Sequence, residues 1–201
     1  NGFATYTIYC TNKDGDGRRL NKTVYIGLDV PKAPANGRLT DQQSSIKIDW
    51  DAVEGVGKNG GIVLPENVLY QVYNIVYDKQ GNPSAELLDE TPQTTYQVTR
   101  NTEEGNQEFI LYALSATNDA GTSKLAATKG LVIGTPYALP IEESLPGGRL
   151  NLLWWIERSG SSSFAITTNK AYDNDGGAFI FNTKAAGDEA SLNSGKISLK
   201  D

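Results

Sequence analysis

The feature that most constrains this chain is an internal repeat. Tyr6-Thr7-Ile8-Tyr9-Cys10-Thr11-Asn12-Lys13-Asp14-Gly15 lines up with Tyr112-Ala113-Leu114-Ser115-Ala116-Thr117-Asn118-Asp119-Ala120-Gly121, sharing Tyr, Thr, Asn and Gly at an offset of 112 − 6 = 106. A second segment follows in each copy: Val24-Tyr25-Ile26-Gly27 and Leu131-Val132-Ile133-Gly134, offset 131 − 24 = 107, each soon followed by proline, Pro31 and Pro136. A period of about one hundred residues built from short strands is the size of a β-sandwich module. The reading is therefore one complete module at 32–136 and the last two strands of an earlier one at 1–31.

The local pattern agrees. Thr5-Tyr6-Thr7-Ile8-Tyr9-Cys10, Ser45-Ile46-Lys47-Ile48-Asp49-Trp50, Tyr70-Gln71-Val72-Tyr73-Asn74-Ile75-Val76-Tyr77 and Tyr96-Gln97-Val98-Thr99 alternate apolar and polar side chains, as half-buried antiparallel strands do. Gly, Asn, Asp and Pro clusters separate them, at 12–17, 54–61, 79–83 and 101–106. The run 111–116 suits a helix by propensity but is too short for one. The fold class is all-β.

Composition narrows the function. The 18 Lys+Arg against 24 Asp+Glu leave a net charge of −6, which argues against a nucleic-acid or anionic-membrane partner held through phosphates. The richest apolar stretch, 150–156, falls far short of the ~18 residues of a membrane span. There is no His and a single Cys, so catalytic triads, Cys/His dyads and zinc or haem sites lack most of their groups. No enzymatic site is expected. With no Met and Asn1 in first place, the chain is expected to be a piece of something longer.

The string Tyr112-x-Leu114-x-Ala116-x-Asn118-x-x-Gly121 resembles strand F and the following turn of fibronectin type III domains, immunoglobulin-like β-sandwiches. Trp50, closing Ile46-x-Ile48-x-Trp50, stands where that family carries the core tryptophan of strand B. The resemblance implies strand A after Pro34, B at 45–53, C at 68–77, two strands within 85–99, F at 107–117 and G at 126–133, with an enlarged B–C loop at 54–67. With Glu142-Glu143-Ser144, Trp154-Trp155, Asp173-Asn174-Asp175-Gly176-Gly177-Ala178-Phe179 and Ser194-Gly195-Lys196-Ile197-Ser198-Leu199, residues 137–201 resemble the opening of a jelly-roll domain of the concanavalin-like, cleaved-adhesin or MAM-related type found in secreted bacterial proteins. Only 201 − 137 = 64 residues follow Tyr137, fewer than such a domain needs.

Few side chains suggest chemistry. Trp154 and Trp155 are adjacent, so on a strand one faces the core and the other faces out, where it can stack on a sugar with Tyr137 and Tyr172; packing between sheets is the plainer reading. Asp173 and Asp175, like Asp14 and Asp16, alternate oxygen ligands as calcium sites do, yet a solvated Asx turn explains both. The resemblance to jelly rolls makes a structural calcium at Asp173 and Asp175 the alternative, and no other cofactor is expected. Cys10 is expected to be a small buried hydrophobe of strand F, and Asn21-Lys22-Thr23 a turn ahead of strand G.

Together these readings point to a non-catalytic spacer or adhesion region of a secreted or cell-surface multidomain protein. It would present the downstream jelly-roll to a protein or glycan ligand. The alternative is an accessory region of a secreted protease or glycosidase whose catalytic domain lies elsewhere. Open sheet edges left by incomplete modules would favour self-association.

Overall fold

The computed structural model describes residues 1–77, 83–99, 106–159, 162–169 and 176–199. Among them every regular element is a strand apart from two 3-10 turns, Pro65–Asn67 and Pro146–Gly148. No helix among the described residues is long and apolar enough to cross a membrane. The chain divides into two units, Asn1–Arg100 with Leu111–Gly130, and Asn101–Ile110 with Leu131–Asp201.

The first unit opens with β1 (Gly2–Ile8), the short β2 (Thr11–Asn12) and β3 (Gly15–Asp16), and β4 (Leu20–Ile26). It continues through β5 (Ala35–Asp41), β6 (Ser45–Asp51), β7 (Leu69–Tyr77), β8 (Pro83–Thr91) and β9 (Thr95–Thr99). After β10 (Gln107–Ile110), which belongs to the second unit, come β11 (Tyr112–Asn118), β12 (Gly121–Thr122) and β13 (Ala126–Ala127). One sheet has the order β5-β6-β9; the other runs β12-β11-β7-β8, with β13 also on β11. All pairings are antiparallel. This is an immunoglobulin-like sandwich in which β5, β6 and β9 are strands A, B and E, and β8, β7, β11 and β13 are C′, C, F and G.

Alternation places the core. Ile46, Ile48 and Trp50 share one face of β6 and are at most 3% exposed. Tyr70 and Val72 of β7 and Tyr112, Leu114 and Ala116 of β11 are buried as well. Trp50 meets Tyr70 edge-on with ring centroids 5.5 Å apart, and the Tyr70 hydroxyl accepts the Val53 N–H at 3.0 Å. Each such side chain stabilises the sandwich by roughly 1.5–3 kcal/mol. The opposite face of β11 is covered too: Ser115 is fully buried, and its hydroxyl and that of Tyr73 both donate to Gln71 Oε1 at 2.8 Å. Gln71 Nε2 in turn reaches Glu90 of β8 at 2.5 Å. Strands A, B and C therefore stand close to their expected limits, whereas the stretches expected as F (107–117) and G (126–133) are each interrupted, F at Leu111 and G between Thr128 and Gly130, and 107–110 and 131–134 pair with each other in the second unit. The turns expected at 79–82 and 101–105 lie outside the described residues.

Next to its turn the hairpin β1–β4 repeats the F–G register of the sandwich. Thr7 pairs with Asn21 and Ile8 with Leu20, as Ala113 pairs with Ala127 and Leu114 with Ala126. At the tip Thr11 faces Asp16 and Asn12 faces Gly15, matching Thr117 with Thr122 and Asn118 with Gly121. The Gly17 N–H donates to the Cys10 carbonyl at 2.7 Å, and the Ser123 N–H to the Ala116 carbonyl at 2.8 Å. Burial separates the copies. Tyr6 and Ile8 are 51% and 61% exposed, whereas Tyr112 and Leu114 are at most 1% exposed.

Two expectations fail in this hairpin. Cys10 is exposed, between β1 and β2, because among the described residues no second sheet lies over the position that Ala116 buries in the other copy. Asn21, Lys22 and Thr23 lie within β4 and form no turn; Asn21 Oδ1 accepts from the Thr7 hydroxyl at 2.8 Å across the ladder.

In the second unit β10 pairs with β14 (Leu131–Gly134). Beyond it lie β15 (Trp154–Ser159), β16 (Ser163–Thr167), β17 (Ala178–Asn182) and β18 (Glu189–Ser194). They pair in nested fashion, β15 with β18 outside and β16 with β17 inside. Phe164 contacts Phe179 at 5.3 Å, and Phe179 contacts Trp154 at 6.3 Å, joining the two ladders.

Candidate functional site

Two clusters stand out. In the first, Asp29 follows the β1–β4 hairpin and is completely buried. Among the described residues no cation pairs with its carboxylate, which is held by hydrogen-bond donors. Oδ2 accepts the N–H groups of Asn59 at 2.6 Å and Gly61 at 3.1 Å, while Oδ1 accepts Asn59 Nδ2 and the Val30 N–H, both at 2.8 Å. Burial pushes this carboxyl up; the bonds from the Asn59 side chain and from the Asn59, Gly61 and Val30 backbone outweigh it and hold the group below the ordinary carboxylate range.

The backbone around Asp29 is gripped from two sides. The Asp29 N–H donates to the Ile62 carbonyl at 2.8 Å, and the Ile62 N–H to the Gly27 carbonyl at 3.0 Å, forming a parallel bridge between Leu28 and Ile62. The Lys58 N–H donates to the Val30 carbonyl at 2.9 Å. From the F–G turn, Asn118 Nδ2 donates to the Asp29 carbonyl at 2.9 Å while Asn118 Oδ1 accepts the Ala120 N–H. Sequence reasoning missed Asp29, Asn59 and this second role of Asn118. The available signal was the glycine-rich 54–67 loop, longer than the rest of the module required.

The second cluster is aromatic and lies in the second unit. Trp154 and Trp155 are both half-buried. Trp154 packs towards Phe179, and its indole N–H donates to Glu143 Oε2 at 3.2 Å. That same oxygen accepts the N–H groups of Asn151 and Leu152, both at 3.0 Å, so Glu143 organises the segment leading into β15. Trp155 points the other way, stacked on Phe109 at 4.7 Å with the rings 13° from parallel. One face of the outward indole is thus occupied. Tyr137 is drawn into the framework: its hydroxyl accepts the Leu153 N–H at 2.8 Å, and its backbone bridges Ile197. Tyr172, Asp173 and Asp175 lie outside the described residues.

In the hairpin tip Asp14 is a turn residue and Asp16 belongs to β3, facing Thr11. The Asp14 N–H donates to Asn12 Oδ1 at 2.8 Å, and Asp16 accepts from the Thr11 hydroxyl and pairs with Arg19 at 3.6 Å. Among the described residues no three His, Cys, Asp or Glu side chains are grouped to hold a metal ion.

No protein-family model and no curated protein matches the chain. Solved structures resemble it in part. FN3tt matches at 17% identity over 52% of this chain and 96% of its own, with a TM-score of 0.37. A fourth FNIII domain from a human protein matches at 22% identity over 58% and 83%, TM-score 0.34. The FN1–FN3 domains of chicken CNTN1 match at 10% identity over 97% of this chain and 66% of theirs, TM-score 0.38. The class of protein is set by the strand order itself: an all-β, immunoglobulin-like sandwich with further strand segments on both sides.

Proposed function

We propose that this chain is a non-catalytic spacer or adhesion region of an extracellular or cell-surface multidomain protein. Residues 1–31 act as the closing strands of one fibronectin type III module, 32–136 form the next, and 137–201 begin a jelly-roll domain that takes a protein or glycan ligand. The observation that carries this reading is the repetition of the F–G hairpin in register, turn bonds included, which is what tandem modules of one design produce. The nested pairing of β15 with β18 around β16 with β17 supports the jelly-roll assignment, since successive hairpins nest in that way. Trp155, half-buried with one face on Phe109, is the aromatic group this reading assigns to ligand contact.

The test is a binding screen of the immobilised chain against glycan and polypeptide panels, run beside peptide, ester and glycoside reporter substrates. The reading expects binding to one ligand class, lost in Trp155→Ala, and no turnover. Turnover that co-purifies with the chain and survives further purification overturns it.

A further inference from the structure

We propose that the enlarged 54–67 loop is a clamp between modules, with Asp29 as its latch, so that the β1–β4 hairpin cannot pivot on the sandwich at residues 27–31. The proposal rests on the tandem-module reading but is tested separately from it.

The loop's own residues argue for this role. A B–C connection that served only to join two strands would need a few residues; this one runs outward, folds back at Gly57–Gly61 through the Gly57 N–H to Gly61 carbonyl bond of 2.9 Å, and closes on the linker. Of its apolar members Val63 enters the core at 2% exposed, whereas Val56 and Ile62 remain 49% and 58% exposed. Ile62 acts through its backbone, giving and receiving one hydrogen bond on either side of Leu28.

Close approach explains the glycines. A Cβ on Gly57 would lie 2.6 Å from Asp29 Cβ and Oδ2, and one on Gly61 would lie 2.4 Å from Tyr25 Cδ1 and 2.9 Å from the Gly27 carbonyl. Tyr25 belongs to β4 and carries Phe3 of β1 edge-on at 5.1 Å. The hairpin is therefore seated on the loop through Tyr25, while Asp29 ties the following residues to the same loop. A carboxylate is the group suited to the latch, because only an acceptor with two oxygens and a full charge satisfies four converging donors. Among the described residues it pairs with no cation, and its bonds run within the linker and from the linker to the loop.

The test is amide hydrogen exchange on the intact chain and on two variants that break the clamp by different means. Asp29→Asn keeps the shape but turns an NH2 towards the Asn59 and Gly61 donors; Gly61→Ala keeps the charge and wedges a methyl against Tyr25. Both are expected to raise exchange at Asp29 or its replacement, Lys58, Asn59 and Ile62 by about tenfold to a hundredfold, with Ile48 and Leu114 unchanged. Unaltered exchange at those linker and loop amides in both variants overturns the proposal. So does an equal loss of protection at Ile48 and Leu114 in both, which would make the carboxylate a support of the whole sandwich. Neither result depends on whether the chain binds a ligand.

Discussion

Leu114 and Ile8 occupy the same place in the two copies of the repeat, 114 − 8 = 106 residues apart, yet Leu114 is 1% exposed and Ile8 is 61% exposed. Truncating either to alanine removes three carbons, which for a buried side chain are worth about 2.4 kcal/mol at ~0.8 kcal/mol each. Leu114 pairs with the fully buried Val72 in a core that cannot collapse fully, and the cavity raises the loss to about 3–4 kcal/mol. At Ile8 about four-tenths of the side chain is covered and solvent fills the gap, so the loss is about 1 kcal/mol or less. The assay is urea denaturation followed by fluorescence in a Trp154→Phe/Trp155→Phe background, leaving Trp50 as the sole reporter. A loss at Ile8 equal to that at Leu114 would refute the burial argument, because it would require a cover over the β1–β4 face.

Stability against acid should depend on Asp29. Its folded-state pKa lies below the unfolded value, so its contribution is complete above about pH 4 and disappears as pH falls through the depressed folded value. Urea midpoints measured from pH 6 to pH 2 should fall more steeply for the parent chain than for Asp29→Asn. Gly134→Ala should cost at least about 2 kcal/mol in thermal unfolding. Its φ is +97°, and a Cβ there would sit 2.1 Å from the Asn106 carbonyl oxygen. Glu143→Ala removes the acceptor shared by Asn151, Leu152 and Trp154, and should speed exchange at those two amides while leaving β16 and β17 protected.

The sandwich was legible because its strands alternate cleanly: Ile46-x-Ile48-x-Trp50 can bury only one face, and the turn chemistry of Asn118 and Gly121 marks where F gives way to G. Distant partnerships were not legible. Asp29 is one acidic residue between Leu28 and Val30, and the residues that satisfy it stand 30 and 32 positions further along in a loop without periodic pattern. Alternation separates Trp154 and Trp155 on β15, but nothing local announces that Phe109 stacks on the Trp155 ring. Cys10 was misread for a related reason: the repeat carries over strand register, whereas burial depends on what lies across the sheet, and that differs between the copies. The sites expected at Tyr172, Asp173 and Asp175 lie outside the described residues and so add nothing to this comparison.

On the clamp proposal, hairpin and sandwich behave as one rigid body held through Asp29. Residual dipolar couplings on the amides of Thr5, Thr7, Thr23 and Val24, set against those of Ile46, Ile48, Val72 and Leu114, test it most directly. The account expects both sets to fit one alignment tensor in the intact chain, and to separate in Asp29→Asn. Two tensors of different magnitude in the intact chain would contradict it.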